Sequence, residues 1–231
     1  MALDKQVFKT RAITALIFAA VMLLGLFTSA WSFVVLFSVI MIGCLVEFFR
    51  LIKKISPRNY PAYLPLALVY IVMPLLMMMD LGLTATMPSS LFKNIFYSPL
   101  LPCAIIFSIW INDTMSYIVG SKIGRTPFSK ISPKKTWEGT AGGAVLCIII
   151  IAILGAAIPA ARQIDVIHWV IIAAICAVFG TLGDLLESKL KRLAKVKDSG
   201  SFMPGHGGFL DRFDSLLLAT AFVWLYTKFI F

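Results

Sequence analysis

The sequence predicts an all-α, polytopic integral membrane protein with about seven transmembrane helices and a cytoplasmic N-terminus. Three observations lead to this fold class. The chain of 231 residues is 60% hydrophobic and only 14% charged, whereas soluble domains carry about 25% charged residues. Its uncharged runs are long enough for bilayer-spanning helices, which need about 20 apolar residues each. Its basic residues gather in alternate connections between these runs. Because a backbone in lipid must satisfy its own hydrogen bonds, we expect the spans to be helices.

Seven apolar segments follow one another along the chain. They cover residues 12–29, 31–49, 61–79, 99–121, 139–160, 166–187 and 213–231. The first two are separated only by Thr28–Ser32, where small polar residues and a tryptophan are typical of a turn at the membrane interface. No small-residue cleavage site closes the first segment, so we expect a retained helix and not a removed signal peptide. The last segment is the weakest, because its uncharged part begins only after Asp214.

Basic residues are distributed unequally between the two sides of the predicted bundle. One side holds Lys5, Lys9, Arg11, Arg50, Lys53, Lys54, Arg58, Lys122, Arg125, Lys130, Lys134, Lys135, Lys189, Lys191, Arg192, Lys195, Lys197 and Arg212. The other side holds only Lys93, Arg162 and Lys228. Positive charge is enriched in cytoplasmic loops, so this distribution predicts a cytoplasmic N-terminus and an outside C-terminus. The net charge of +10 would favour anionic lipids and anionic solutes at the cytoplasmic face.

The cysteines do not point to a metal or a disulfide. Cys44, Cys103, Cys147 and Cys176 are isolated within apolar segments and form no CxxC pair. We therefore expect them to pack as small apolar side chains. The common nucleotide-binding fingerprints GxxxxGK[ST] and GxGxxG are also absent from the sequence, so any bound nucleotide must be held by another device.

Polar residues are concentrated in the second half of the chain. Residues 1–100 contain three apolar segments and few charges within them, and are predicted to form N-terminal transmembrane helices. Residues 101–231 are predicted to form a C-terminal transmembrane region with cytoplasmic loops that carries the functional site. Glu47 and Asp80 lie at ends of apolar segments in the first half, and we interpret both as anchors at the membrane interface.

The first polar cluster is WINDTMSYIVGSKIG, in which Asn112 and Asp113 lie inside a predicted helix with Ser116 one turn later. A carboxylate at membrane depth costs several kcal/mol unless it is solvated or paired. A structural hydrogen-bond pair between helices would account for these residues, but a polar cavity accounts for them better.

The second cluster is SKISPKKTWEGTAGG. Lys134 and Lys135 stand just before an apolar segment, and lysine is a mobile point charge suited to phosphate oxygens. An ordinary positive loop would explain the cations alone, but less completely the adjoining Trp137 and Glu138. The GxxxG spacing that follows, residues 139–143, allows a neighbouring helix to approach closely.

The third cluster runs from GDLLESKLKR to DRFD. One helix stripe contains Asp184, Ser188, Lys191 or Arg192, and Lys195, at intervals of about one turn. A GHGG segment, in which the backbone can approach a ligand closely, then leads to Asp211 and Asp214 at i, i+3 on one helix face. A solvated loop with helix-end charges would explain the cations. It would not explain acids, glycines and His206 crowded together at membrane level. Three carboxylates that converge repel each other and need a cation, and oxygen ligands favour a hard ion such as Mg²⁺.

The segment SKLKRLAKVKDSGSFMPGHGGFLDRFD resembles the signature of the CDP-diacylglycerol synthases, also called phosphatidate cytidylyltransferases. The matching positions are Ser188, Lys191, Arg192, Lys197, Asp198, Gly200, Pro204, His206, Gly207, Gly208, Asp211, Arg212 and Asp214. Met203 stands where this family usually has Leu, Ile or Phe. Two upstream segments, NDTMSYIVGSKIGRTPFSKISPKKTWEG and GDLLES, also resemble the family, so the resemblance covers roughly residues 105–220. The N-terminal half matches only loosely, through RAITAL and LVEFFRL, and the chain looks shorter than typical members.

The resemblance implies an enzyme of phospholipid biosynthesis that joins CTP and phosphatidate to give CDP-diacylglycerol and pyrophosphate, with Mg²⁺ as cofactor. It implies a catalytic region in residues 101–231, on the cytoplasmic side of a bacterial inner membrane. The implied metal ligands are Asp184, Asp211 and Asp214, with Lys191 and Arg192 as further catalytic residues. The implied substrate contacts are Asn112, Asp113, Lys134, Lys135, Ser188, Lys197, Asp198, His206, Gly207, Gly208 and Arg212. Membrane lipid is the expected surrounding partner, nucleic acid is not expected, and the oligomeric state stays open, with a homodimer among the options.

Two alternative functions stay open from the sequence. One is a CTP-dependent polyprenol or other lipid kinase, or a cytidylyltransferase for another lipid phosphate. The other is an ion-coupled transporter that uses Asn112, Asp113 and Asp184 as an ion path. The transporter does not account for the HGG and DRFD motifs.

Overall fold

The computed structural model describes residues 5–86, 94–129, 131–203, 205 and 207–230. Seven long helical segments run through this part of the chain. They are α1 (Lys5–Phe27), α2 (Ala30–Ile55), α3 (Tyr60–Gly82), α4 (Leu100–Ile123), α5 (Trp137–Ala157), α6 (Val166–Leu193) and α7 (Leu210–Phe229). A short antiparallel hairpin pairs β1 (Leu83–Thr86) with β2 (Asn94–Tyr97). Among the described residues, this hairpin and two isolated β-bridges, Pro127 with Thr136 and Met203 with Gly207, are the departures from an all-α chain.

The helices confirm a polytopic membrane protein. Within the described residues, α2, α3, α4, α5 and α6 are long and apolar enough to cross a membrane, and α1 contributes the shorter apolar stretch Ala12–Phe27. The seventh helix, α7, occupies the last predicted segment but carries more polar residues. The number of crossings and the side of the N-terminus stay predictions.

Local sequence explains where several helices begin and bend. Ser29 and Ser32 form a reciprocal cap between α1 and α2, since each side chain accepts a hydrogen bond from the other residue's amide, at 3.1 Å and 2.9 Å. The helix α3 is irregular. It starts with a 3₁₀ turn at Tyr60–Tyr63 and contains a π turn at Leu68–Val72. Pro74 follows the π turn, and because proline lacks an amide donor, the helix cannot keep regular hydrogen bonds there.

The helices α4 and α5 pack closely through glycine. A Cβ atom on Gly139 would lie 2.9 Å from the Cα of Gly120, and one on Gly143 would lie 2.6 Å from the amide nitrogen of Ser116. The small residues of the GxxxG motif therefore let the two backbones approach, as the sequence predicted. This contact places the polar residues of α4 beside the loop that leads into α5.

The remaining core lies between α2, α3, α6 and α7. Its largest fully buried side chains include Phe33, Phe37, Phe48, Ile71, Leu75 and Met78. The four cysteines are free and buried, which confirms that they pack as apolar residues. At one end of α7, Lys228 and Trp224 bind the carboxylate of Asp80, each at 2.7 Å. This contact ties the end of α3 to α7 at the membrane face opposite to the start of α7.

Two connections test the predicted orientation, because they lie at opposite ends of α5. Arg125→Cys lies in the connection expected in the cytoplasm, and Gln163→Cys lies in the connection expected outside. Both native side chains are exposed, whereas the native cysteines are buried. We expect a membrane-impermeant maleimide to label only Gln163→Cys in intact cells, and both variants after disruption. Labelling of Arg125→Cys in intact cells would overturn the predicted orientation.

Candidate active site

A polar cavity of about 350 Å³ opens between α4, the α4–α5 connection, α5 and α6. The predicted site residues in its lining are Asn112, Asp113, Lys134, Lys135 and Asp184. Asn112 is buried, and its Oδ1 has no hydrogen-bond partner among the described residues. A buried carbonyl oxygen without a partner favours the polar cavity over a structural hydrogen-bond pair for this cluster.

Glu138 stabilises the conformation of the connection before α5. Its carboxylate accepts hydrogen bonds from the amides of Arg125 and Thr126, both at 3.1 Å, and from the Thr126 hydroxyl at 2.8 Å. The amide of Phe128 also donates to the carbonyl of Lys135, at 2.8 Å. These contacts hold the connection over the cavity, so that Lys134 and Lys135 line it from above the apolar part of α5.

Asp184 connects this cavity to the next cluster. Its carboxylate forms an ion pair with Lys135 across the cavity. The hydroxyl of Ser188, one turn later on α6, donates to Asp184 Oδ1 at 3.2 Å. Both partners of the ion pair keep more than a quarter of their side-chain surface exposed. The pair is therefore accessible to a solute that enters the cavity.

Three carboxylates converge between α6 and α7. One oxygen from each of Asp184, Glu187 and Asp214 can be chosen so that all three lie within 4.8 Å of one another. Asp214 is buried and accepts a hydrogen bond from the Ser215 amide at 2.7 Å. Glu187 is also buried, and its Oε1 makes no hydrogen bond within the described part of the chain. Crowded carboxylates favour a bound cation, and a set of oxygen donors suits a hard divalent ion.

Glu187 is not among the site residues predicted from the sequence. It lies three residues after Asp184 and four before Lys191, so the helical spacing places it on the same stripe. Its Oε2 forms an ion pair with Lys191. This spacing is the signal that could have identified Glu187 as a member of the cluster.

The structure places Asp211 differently from the predicted metal set. Its Oδ1 lies 2.6 Å from Lys191 Nζ, and its Oδ2 accepts from the amides of Ser199 at 2.9 Å and Gly208 at 2.7 Å. Both oxygens are thus engaged by the preceding loop and by α6. Of the three expected ligands, Asp184 and Asp214 come together with Glu187, while Asp211 holds the loop.

The prediction that Glu47 anchors α2 at the membrane interface is wrong. Its side chain is buried within the bundle. The carboxylate accepts hydrogen bonds from the amides of Phe209 at 3.0 Å and Leu210 at 2.9 Å, and from the hydroxyl of Ser199 at 2.7 Å. Sequence position alone suggested a span end, but α2 continues to Ile55, which places Glu47 two turns inside the helix.

The remaining predicted residues that the structure describes belong to the end of α6, the loop after it and the first turn of α7. Arg192 is exposed and donates to the carbonyl of Val196 at 3.2 Å, after the end of α6. Arg212 is exposed. Lys197 and Asp198 are exposed, and Asp198 lines a second cavity of about 540 Å³ with Arg50, Lys53 and Lys54.

Gly207 adopts a positive φ of 88° that favours glycine, and Gly208 is buried against Glu47. His206 lies outside the described residues.

Comparisons with known proteins show the family to which this part of the chain is similar. The model of the cytidylyltransferase family matches residues 66–230, from α3 to α7. Phosphatidate cytidylyltransferase of Bacillus subtilis (strain 168) is 44% identical over 131 residues, which cover 56% of this chain and 45% of the relative. The relative from Thermotoga maritima with the same name is 38% identical over 128 residues, or 54% of this chain and 47% of the relative.

A plant protein is also similar to this chain. Phosphatidate cytidylyltransferase 5, chloroplastic, of Arabidopsis thaliana is 42% identical over 127 residues, which cover 54% of this chain and 30% of the relative. The chain thus spans less than half the length of these curated relatives. The family model nevertheless includes the cavity, the carboxylate cluster and the loop before α7, and we conclude that the chain belongs to the cytidylyltransferase family.

Proposed function

We propose that the protein transfers the cytidylyl group of CTP to phosphatidate, giving CDP-diacylglycerol and pyrophosphate. The observation that carries this proposal is the cluster of Asp184, Glu187 and Asp214 beside a cavity with two lysines, in a chain of the cytidylyltransferase family. We place the site on the cytoplasmic side of a bacterial inner membrane, where CTP is present. We assign the chemistry to residues 101–231, since these residues supply the lining of the cavity and the cluster.

In the proposed reaction, a phosphate oxygen of phosphatidate attacks the α-phosphorus of CTP. The new P–O bond forms while the bond between the α-phosphorus and the oxygen bridging to the β-phosphorus breaks, and pyrophosphate leaves with that oxygen. The lipid phosphate is already anionic at neutral pH, so no strong general base is needed. The protein must instead hold two polyanions together and stabilise the charge that develops on the leaving group.

The residues of the site are suited to these tasks. Asp184, Glu187 and Asp214 would hold a divalent cation such as Mg²⁺, which would supply positive charge next to the phosphates. Lys134 is exposed at the cavity and free to bind phosphate oxygens, whereas Lys135 also holds Asp184 in place. Lys197 and Arg212 are exposed near the start of α7, and we assign them to the triphosphate.

The position of the cavity suits substrates from two phases. Its lining includes Tyr117, which is 77% exposed, and the neighbouring Ile118 on α4 is also exposed. On α6, Leu182 and Leu186 are exposed apolar residues that flank Asp184. Exposed apolar faces of this kind cost little free energy only where they contact lipid. A diacyl substrate would therefore reach the cavity from the bilayer while CTP arrives from water.

The position of a radioactive label tests the proposed function. Purified protein is incubated with phosphatidate and with CTP labelled at either the α- or the γ-phosphate. We expect the α-label alone to enter the lipid product, with one pyrophosphate released for each lipid labelled. Transfer of the γ-label to a lipid would instead identify a kinase. Other lipid phosphates are tested in the same assay. If one of them accepts the α-label much faster than phosphatidate does, that lipid and not phosphatidate is the substrate.

The two lysines of the cavity are expected to differ in their kinetic effects. Lys134→Gln should raise the KM for CTP about fivefold with little change in kcat, since an exposed charge contact contributes about 1 kcal/mol. Lys135→Gln should also lower kcat, because it frees Asp184. Lys122→Gln is the matched control, as it removes an exposed cation from the last turn of α4, outside the cavity lining. If Lys134→Gln and Lys122→Gln have the same KM for CTP and the same kcat, Lys134 contributes only to the general positive charge of the loop.

A further inference from the structure

We propose that Glu47 of α2 is a positioning residue for this reaction, which fixes the loop before α7 and through it the carboxylate cluster. This inference rests on the proposed function for its kinetic part. Glu47 lies outside residues 66–230, which match the family model, and in the half of the chain that does not line the cavity. It is nevertheless buried, and its carboxylate accepts hydrogen bonds from the loop and from the start of α7.

Glu47 caps the N-terminus of α7. The amides of Phe209 and Leu210 are among the first donors of this helix and have no partner within it. They donate to Glu47 Oε1 at 3.0 Å and Oε2 at 2.9 Å. Glu47 lies 162 residues before Phe209 in the sequence. A side chain from α2 therefore takes the place of a local N-cap residue. Its negative charge also suits the positive end of the helix dipole.

Two glycines fit closely around the same carboxylate. A Cβ atom on Gly200 would lie 2.7 Å from Glu47 Cδ, and one on Gly208 would lie 2.5 Å from the same atom. Both glycines belong to the loop between α6 and α7. Any side chain at either position would displace Glu47, so the loop and the carboxylate fit each other as one unit.

A continuous series of contacts connects Glu47 to the carboxylate cluster. The hydroxyl of Ser199 lies 2.7 Å from Glu47 Oε2 and 2.9 Å from Asp211 Oδ2. Asp211 then binds Lys191 at 2.6 Å, and Lys191 forms the ion pair with Glu187. Since a hydroxyl has a single proton, Ser199 can donate to only one of the two carboxylates at a time. A change at Glu47 therefore alters how Asp211 and Lys191 are held.

The charge of Glu47 should matter as well as its shape. Its two oxygens accept from three donors: two amides and one hydroxyl. Glu47→Gln keeps the size but turns an NH₂ group towards at least one of these donors. We expect the loop to loosen, because a donor that faces a donor is repelled and loses its partner. Misplacement of the cluster by a small distance should then lower turnover.

The test compares Glu47→Gln and Ser199→Ala with Asp80→Asn, a control that removes a different carboxylate contact between helices, at the far end of α7. Turnover with α-labelled CTP, melting temperature and hydrogen exchange are measured on the full chain in detergent. We expect Glu47→Gln to lower kcat at least about tenfold with a nearly unchanged KM for phosphatidate. The amides of Phe209 and Leu210 should exchange faster. Asp80→Asn should leave kcat and these amides unchanged.

The second variant keeps the proposal testable if Glu47→Gln does not fold. Ser199→Ala should also lower kcat, and a kcat equal to that of wild type in this variant would overturn the proposal. Where Glu47→Gln folds, a double variant should be no worse than the more severe single variant, because the two residues act through one contact. A kcat within twofold of wild type for Glu47→Gln, or unchanged exchange of the two amides, would overturn the proposal. A wild type that transfers no α-label would refute the proposed function instead. The exchange measurement would then decide alone whether Glu47 holds the loop.

Discussion

Asp214→Asn is expected to abolish most turnover, by at least about 100-fold, and to remove stabilisation of the protein by Mg²⁺. Loss of groups that merely support a metal ligand costs about 10- to 100-fold, and Asp214 lies within the carboxylate cluster itself. The variant should not destabilise the protein without metal. Removal of one of several crowded like charges relieves repulsion, so the melting temperature in the absence of Mg²⁺ should hold or rise slightly.

Melting curves with and without Mg²⁺, next to turnover with α-labelled CTP, measure this effect. Mg²⁺ should raise the melting temperature of wild type by linkage, and that of Asp214→Asn much less. Asp211→Asn separates the observed cluster from the set expected from the sequence. It should lower turnover through the loop but keep stabilisation by Mg²⁺, because both Asp211 oxygens are engaged elsewhere. Loss of Mg²⁺ stabilisation in Asp211→Asn and its retention in Asp214→Asn would contradict the cluster described above.

Lys191→Met is expected to lower the stability of the folded protein by about 3 kcal/mol or more. Its ammonium group lies between Glu187 and Asp211, and its side chain is 13% exposed. Removal of this cation leaves two buried carboxylates without their charge partner, and an uncompensated buried charge is costly. Turnover should fall with stability, because the same cation connects the loop to the cluster.

A second substitution separates stability from chemistry at this position. In Lys191→Met with Glu187→Gln, one of the two uncompensated charges is gone, so much of the lost stability should return. Turnover should not return, since Glu187 is a proposed cation ligand. The measurement is the melting temperature of each variant, with turnover expressed per folded protein. A melting temperature of Lys191→Met equal to that of wild type would show that the ion pairs contribute little.

The membrane makes much of the fold predictable from sequence. The bilayer demands long apolar helices, so uncharged runs reveal α2 to α6 with errors of a few residues at their ends. The ends are less predictable because α6 continues through charged residues to Leu193, and α7 begins at Leu210 before its apolar run. The hairpin β1–β2 has no such signal, because short strands depend on the partner that they pair with.

The candidate site was predictable only where the spacing of residues within one helix is enough to identify its members. Asp184, Lys191 and Asp214 stand out as polar residues at the ends of apolar spans. Asp211 and Asp214 share a helix face by spacing, yet their carboxylates reach different partners. Asp211 lies in the first turn of α7, next to the loop that supplies amide donors. Asp214 lies one turn deeper, against α6.

The sequence by itself determined the membrane class, the principal apolar helices, the family and the cations of the cavity, because each depends on local composition or on a contiguous motif. Only the tertiary structure decided that Glu187 joins Asp184 and Asp214, that Asp211 binds Lys191, and that Glu47 caps α7. The physical reason is that a buried carboxylate is held by whichever donors surround it. Those donors come from helices and loops that are distant in sequence, and their meeting depends on the packing of the whole bundle.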